Sequence, residues 1–394
     1  MTDEPGAPTT RASSAAAARA ARTTLERPIP FHLPSLPDID AYVGDVRAIV
    51  ESGRLSEGPF VRRLERELRP WLGDRDVVAV ASCSSGLIAA LSLVAEPGCE
   101  VIVPGYTYLA TWQAVVWAGM TPVVADVDER GLLDPAAVLA AITPRTGAIL
   151  AVHLTGILAP MPALRRIADG HGLAIVADGA HALGARTDEI SAGSLGDIEV
   201  FSVGATKQVA AGEGGCLTIR DPKRVSSARL WALQGHEPGS MDALGMGMNL
   251  RLSELTAALA IRQLDGLPGQ LNRRNVVHET YATAFAELPL RLSGPRAGER
   301  SAHKDQLIWV DEPGDRAPLR RHLADAAIET RPYYEVAIPD LSAFSGRVES
   351  AERSRDLARR SFAIPIHARL DDQDVRRIGE TVVGYFRGRS RVGR

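Results

Sequence analysis

Leu173-Ala174-Ile175-Val176-Ala177-Asp178-Gly179-Ala180-His181 is the stretch on which the reading of the fold turns. Its apolar run Leu173–Ala177 has no polar position, so it reads as a strand buried on both faces, as in a parallel sheet covered by helices. The run ends on a carboxylate followed by a glycine turn. Asp178 therefore sits at the carboxyl edge of the sheet, where open α/β folds bind ligands. A buried aspartate there is costly unless it meets a positive partner. The plainer reading of Asp178 alone is a cap for the turn Asp178–His181.

Similar runs occur on either side, at Val77–Ser82, Glu100–Val103, Pro122–Val127, Ala148–His153, Ile198–Val203 and Gly215–Arg220. They alternate with longer amphipathic stretches, which predicts an α/β fold with a mainly parallel seven-stranded sheet and helices on both faces. Leu87, Ala90, Leu91 and Val94 recur at helical spacing, so a helix starts near Ser84, with Ser82, Ser84 and Ser85 as suitable N-caps.

Beyond Arg220 the strand pattern weakens, and helical segments at Ser253–Leu264 and Asn272–Leu288 mark a hinge. The expected organisation is a disordered tail over 1–26, a large domain over 27–265, a smaller C-terminal α+β domain over 266–386 and a basic tail over 387–394. Within the small domain, Leu307–Val310 reads as a strand, and Ala317–Ala327 and Asp371–Arg387 as helices. Residues 1–26 lack the apolar core of a signal peptide, and Asp3 and Glu4 argue against a transit peptide.

The composition of the 394 residues, 45% apolar and 24% charged, is that of a globular protein with a substantial core. A net charge of -3 leaves no electrostatic footprint for nucleic acid or an anionic membrane, and no apolar run is long enough to cross a bilayer. Cys83, Cys99 and Cys216 form no C-x-x-C pair and the histidines show no ligand spacing, so reduced thiols, no metal and a cytoplasmic location are expected. A small-molecule partner is favoured.

Phe201-Ser202-Val203-Gly204-Ala205-Thr206-Lys207 leaves another apolar strand and precedes Gly212-Glu213-Gly214-Gly215. A lysine at a strand end, shielded by apolar neighbours, can be deprotonated enough to attack an aldehyde and form a Schiff base. The alternative is a surface lysine before a hairpin turn. A protonated pyridine nitrogen is the kind of cation Asp178 requires, and His181 stands three residues further on, where it can bond a ring hydroxyl. Ser84, Ser85 and Gly86 lie at a helix N-terminus suited to a phosphate, and Ser202 comes to the same edge. No G-x-G-x-x-G or P-loop follows these strands, which counts against a dinucleotide oxidoreductase and an NTPase.

In chain order the remaining motifs are Gly53–Pro59, Ser82–Leu87, Val103–Tyr108, His153–Gly156 and Gly247–Glu254. Together with Asp178–His181, Phe201–Lys207 and Gly212–Gly215, they resemble the DegT/DnrJ/EryC1/StrS family of pyridoxal-phosphate (PLP) dependent sugar and cyclitol aminotransferases, which have the aspartate aminotransferase fold (fold type I). The resemblance runs from about Pro28 to Tyr385. It implies that Lys207 binds PLP as a Schiff base, Asp178 pairs with the pyridine nitrogen, Tyr108 stacks on the ring and His181 contacts its hydroxyl. By the same resemblance Ser84, the backbone around Ser85, and Ser202 hold the phosphate, while Asn249 reaches the partner's phosphate in a homodimer. Arg331, in Glu329–Pro332, matches a motif near the substrate entrance.

The implied reaction transfers an amino group from glutamate or glutamine to a keto sugar, nucleotide-linked, or a keto cyclitol, in natural-product or polysaccharide biosynthesis. A sugar dehydratase on the same scaffold is the alternative. In such dehydratases histidine can replace the lysine, so Lys207 favours transamination. A non-catalytic regulator is expected to lose Lys207 or Asp178 or to gain a DNA-binding domain, and the sequence shows neither. The chain departs from the family pattern at Gly204, where histidine is frequent, at Pro160, where aspartate is, and at Leu250, where an aromatic is usual. Gly204 removes a side chain beside the cofactor.

Overall fold

The computed structural model describes residues 27–35 and 37–392; the tail expected over 1–26 lies outside them. Helices α1 (Ile39–Ser52) and α2 (Pro59–Leu68) lead into a run of alternating strands and helices. This run is β1 (Asp76–Val80), α3 (Cys83–Val94), β2 (Glu100–Pro104), α4 (Leu109–Trp117), β3 (Thr121–Ala125), α5 (Pro135–Ala141) and β4 (Thr146–Val152). It continues with α6 (Met161–His171), β5 (Ala174–Asp178), the short β6 (Arg186–Thr187), β7 (Ile198–Ser202), β8 (Gly215–Ile219) and α7 (Lys223–Ala232). Helices α8 (Glu254–Leu264) and α9 (Leu267–Phe285) then lead to β9 (Leu290–Leu292), β10 (Glu299–Arg300), β11 (Gln306–Val310) and α10 (Arg316–Asp325). The last elements are β12 (Arg347–Val348), α11 (Glu352–Arg360), β13 (Ser361–Ile364) and α12 (Asp372–Val392).

The main sheet has the order β1-β8-β7-β5-β4-β2-β3-β12. Only β8 runs antiparallel to its neighbours. All seven expected strands are present, joined by an eighth, β12, which pairs parallel with β3 through Arg347 opposite Val123. A two-residue edge strand from the far end of the chain carries no periodicity from which to read it. The inner strands β2, β7 and β8 are buried at every position, which is why their sequences lack alternation.

A second, antiparallel sheet, β13-β11-β9, packs with α9, α10 and α12 around Ile308, Val310, Phe362 and Ile364. Ile29 joins this cluster and bridges to Ile328, so the start of the described chain lies against this layer. Helix α9 begins before Asn272 because Pro268 occupies its first turn, where a missing N–H costs nothing. The segment expected as a basic tail from Arg387 instead continues α12 to Val392, since arginine is a good helix former and no proline interrupts.

Two close approaches fix the large sheet's helices. A Cβ on Gly86 would stand 2.8 Å from the Val200 side chain, so glycine lets α3 lie directly on the sheet. At the start of α2 the Glu254 carboxylate accepts N–H bonds from Gly58 (2.9 Å), Phe60 (3.0 Å) and Val61 (2.9 Å), and a Cβ on Gly58 would collide with it. Glu254 is a buried carboxylate held at a positive helix end. Glu254→Ala strands those donors in the interior and is expected to lower the free energy of urea unfolding by at least about 2 kcal/mol. Glu254→Gln, which keeps one acceptor, is expected to recover part of the loss.

Candidate active site

The parallel strands deliver their last residues to one edge, and a cavity of about 370 Å³ lies there, within the rough 300–1,000 Å³ range of small-molecule sites. Ser84, Tyr108, Asp178, His181, Ser202 and Lys207, all singled out in the sequence, line it together. Asp178 ends β5, Ser202 ends the neighbouring β7, and Lys207 follows in the loop after β7.

Asp178 is 6% exposed. Its Oδ2 accepts the Thr111 hydroxyl at 2.9 Å and its Oδ1 the Ala180 N–H at 3.1 Å, while Thr111 is in turn bonded to Thr107 at 3.0 Å. Burial raises the Asp178 pKa above the usual carboxylate value; these two bonds and the nearby Lys207 and His153 pull it down without cancelling the rise. His181 is held well below its ordinary pKa, first by burial and then by Lys207 and Lys304, so its ring is neutral at pH 7. The Tyr333 hydroxyl lies 3.4 Å from His181 Nε2.

Helix α3 starts one residue earlier than the sequence suggested, with Ser82 as its N-cap, accepting from the Ser85 N–H at 3.1 Å. The Ser85 hydroxyl donates to the Ser82 carbonyl at 3.0 Å, and Ser85 is not among the residues that line the cavity. Ser202 Oγ accepts the Gly204 N–H at 3.2 Å. Asn249 is exposed, outside the cavity of this chain, and its Oδ1 accepts from Arg251 Nε at 3.0 Å. Arg331 is also outside; its guanidinium lies 5.9 Å from the Phe31 ring centroid.

The opposite wall comes from the C-terminal layer as Lys304, Tyr333 and Tyr334, none of which the sequence reading singled out. The reading of Glu329–Pro332 stopped one residue short of the tyrosines. Tyr106, buried and with its pKa raised to about 12 by burial, pins this wall. Its hydroxyl donates to the Tyr333 carbonyl at 2.6 Å and accepts the Tyr334 N–H at 3.2 Å.

A mainly parallel sheet with a buried carboxylate at one strand end and a lysine in the loop after the neighbouring strand, beside a capped helix N-terminus, defines a fold type I PLP enzyme. The chain belongs to the DegT/DnrJ/EryC1/StrS aminotransferase family, whose model matches residues 38–383. It is 30% identical to the spore coat polysaccharide biosynthesis protein SpsC of Bacillus subtilis (strain 168), over 91% of this chain and 97% of that protein. Among solved structures it resembles DesI in the presence of its TDP-sugar product, with a TM-score of 0.86 and 32% identity over 94% of this chain and 96% of that one. The sugar aminotransferase Spr1654 of Streptococcus pneumoniae, described as putative and solved in a PLP form, gives a TM-score of 0.84 and 26% identity, over 90% and 97% of the two chains.

The protein is a PLP-dependent aminotransferase, and the donor set of its cavity fits that cofactor. It offers the Lys207 amine, one buried carboxylate whose ionised form a cation would stabilise, and hydroxyls at a helix N-terminus. Thr111→Val removes the hydroxyl that favours ionised Asp178, so the carboxyl takes up a proton at a higher pH than in the wild type. Cofactor retention, measured by fluorescence titration with PLP, is expected to weaken about 10-fold at pH 7, and further as the pH falls.

Proposed function

We propose that this enzyme moves the amino group of glutamate or glutamine to the ketone of a nucleotide-linked sugar, and that Lys207 and Asp178 carry the chemistry. The observation that supports this most directly is that both side chains line one cavity, Asp178 from the end of β5 and Lys207 from the loop after the neighbouring β7. When bound, PLP supplies an electron-withdrawing ring that stabilises negative charge on the carbon bearing the amine.

Lys207 is the residue placed to hold the cofactor's aldehyde carbon and to move the proton at that substrate carbon, as general base and then acid. Asp178 would hold the ring nitrogen's proton. His181, neutral and 3.4 Å from the Tyr333 hydroxyl, would contact the ring hydroxyl, and Tyr108 would cover the ring. Ser84, Ser202 and the backbone N–H groups of the first turn of α3 would hold the phosphate. Family membership supports a sugar acceptor, and the TDP-sugar product seen with DesI supports a nucleotide-linked one. The polysaccharide biosynthesis in the name of SpsC supports a role in making a polysaccharide, with a natural product as the alternative.

The active unit in this reading is a homodimer in which Asn249 reaches the partner's phosphate. Asn249 follows a segment whose Met241 and Met246 are 97% and 88% exposed, an apolar surface that a second copy would cover. Sedimentation is expected to give a dimer, and Asn249→Ala to release PLP more readily while the sedimentation coefficient stays unchanged.

The purified protein with PLP is expected to absorb in the violet and to bleach with glutamate or glutamine, whereas Lys207→Ala shows no lysine-bound band and no turnover. A wild-type band that no amino donor bleaches would point to a different PLP reaction. Retained turnover in Lys207→Ala would remove Lys207 from its assigned role.

A further inference from the structure

The cavity contains a second lysine that the roles above leave unused. Lys304, 4% exposed, lines the same cavity as Lys207 and His181. Its Nζ lies 2.9 and 3.0 Å from the two Asp305 oxygens and 3.1 Å from His32 Nε2. An ammonium has three N–H bonds. The two Asp305 oxygens and His32 Nε2 can take all three, so a ligand in the cavity meets the ammonium by sharing these N–H bonds and through its charge.

The surroundings carry an excess of positive charge. Arg274, buried, donates among the described residues to the carbonyls of His303 (2.8 Å), Lys304 (3.3 Å) and Ile366 (3.1 Å). Its pKa is lowered to about 10, and that of Lys304 to about 8, in both cases first by burial, so both are mainly cationic at pH 7. His32, lowered to about 4 first by burial and then by Lys304, is neutral. Asp305, for which burial opposes and Lys304 favours ionisation, is held well below its usual value as an anion. Two cations against one anion leave one positive charge in a low-dielectric wall, a costly state that a ligand anion relieves.

Resting on the aminotransferase reading, we propose that Lys304 determines substrate specificity by binding a carboxylate held beside the reacting carbon. In an amino acid the α-carboxylate is one bond from the carbon whose amine is removed, so it must lie near Lys207, whose charge Lys304 senses. An acid group on the sugar acceptor presents the same chemistry.

The test compares the PLP-loaded wild type with Lys304→Met and with the double variant Lys304→Met/Asp305→Asn, which leaves no buried unpaired carboxylate if the single variant folds poorly. Calorimetry with glutarate, which has no amine to transfer, reads carboxylate binding without turnover. Stopped-flow bleaching with L-glutamate gives donor affinity and maximal rate separately, and glucuronate serves as the acidic-sugar probe.

For a donor carboxylate, glutarate and glutamate are expected to bind about 10- to 100-fold more weakly in both variants, with the maximal bleaching rate largely kept. Wild-type glutarate affinity should also fall as the pH rises through about 8, where Lys304 loses its proton, and this limb should be missing in the variants. His32, Asp305, Arg274, Lys207 and His181 also face this group, and their presence in the Lys304→Met protein makes it the control. Loss confined to glucuronate assigns Lys304 to the acceptor's acid group. Wild-type affinities for all three probes in a folded variant would overturn the proposal. A wild type that binds glutarate but bleaches with no donor would count against the aminotransferase reading and leave Lys304 as a carboxylate site.

Discussion

The carboxylate of Asp178 is buried at the end of a strand that is itself inside the protein, and the arrangement of the site follows from that constraint. Among the described residues it receives one hydroxyl and one backbone N–H hydrogen bond, which is too little to offset its lost hydration. A cation held against it is the arrangement that makes the ionised form favourable. The parallel sheet brings the remaining groups within reach, because β5 and β7 are neighbours and both end at the same edge. Ser202 is therefore brought to the same edge as Asp178 by adjacent strands, and Lys207 reaches the cavity from the loop that follows β7.

The opposite wall rests on different physics. Lys304 and the tyrosines Tyr333 and Tyr334 come from the C-terminal layer, and their position depends on polar contacts that cross between the two parts of the molecule. The Tyr106 hydroxyl satisfies one carbonyl and one N–H of the Tyr333–Tyr334 pair, while β12 extends the large sheet with a strand from beyond those tyrosines. The glutamate at the start of α8 does a comparable job for α2, tying residues 58–61 to residue 254. Each link places a buried polar group where leaving it unmet would be expensive, so each favours a single geometry over its neighbours.

The contrast between the walls explains what could be read in advance. Strands buried on both faces have nearly continuous apolar sequences, and a polar residue that ends such a run must stand at the sheet edge; Asp178, Ser202 and Lys207 were legible for that reason. Thr111 was not, because a threonine within a helix looks the same whether or not its hydroxyl meets a carboxylate 67 positions away. Lys304-Asp305 precedes an apolar run and reads locally as the polar approach to a strand.

By itself the sequence determined the α/β class, seven of the eight strands of the large sheet, the helix that lies over its edge and the polar residues at the strand ends, because apolar periodicity and chain order specify these locally. Only the tertiary structure decided which side chains close the cavity, that Ser85 turns into its own helix cap, and that a second buried cation stands beside Lys207. Those outcomes depend on contacts between segments far apart in the chain, where hydrogen-bond satisfaction and charge balance select among arrangements that no local pattern distinguishes.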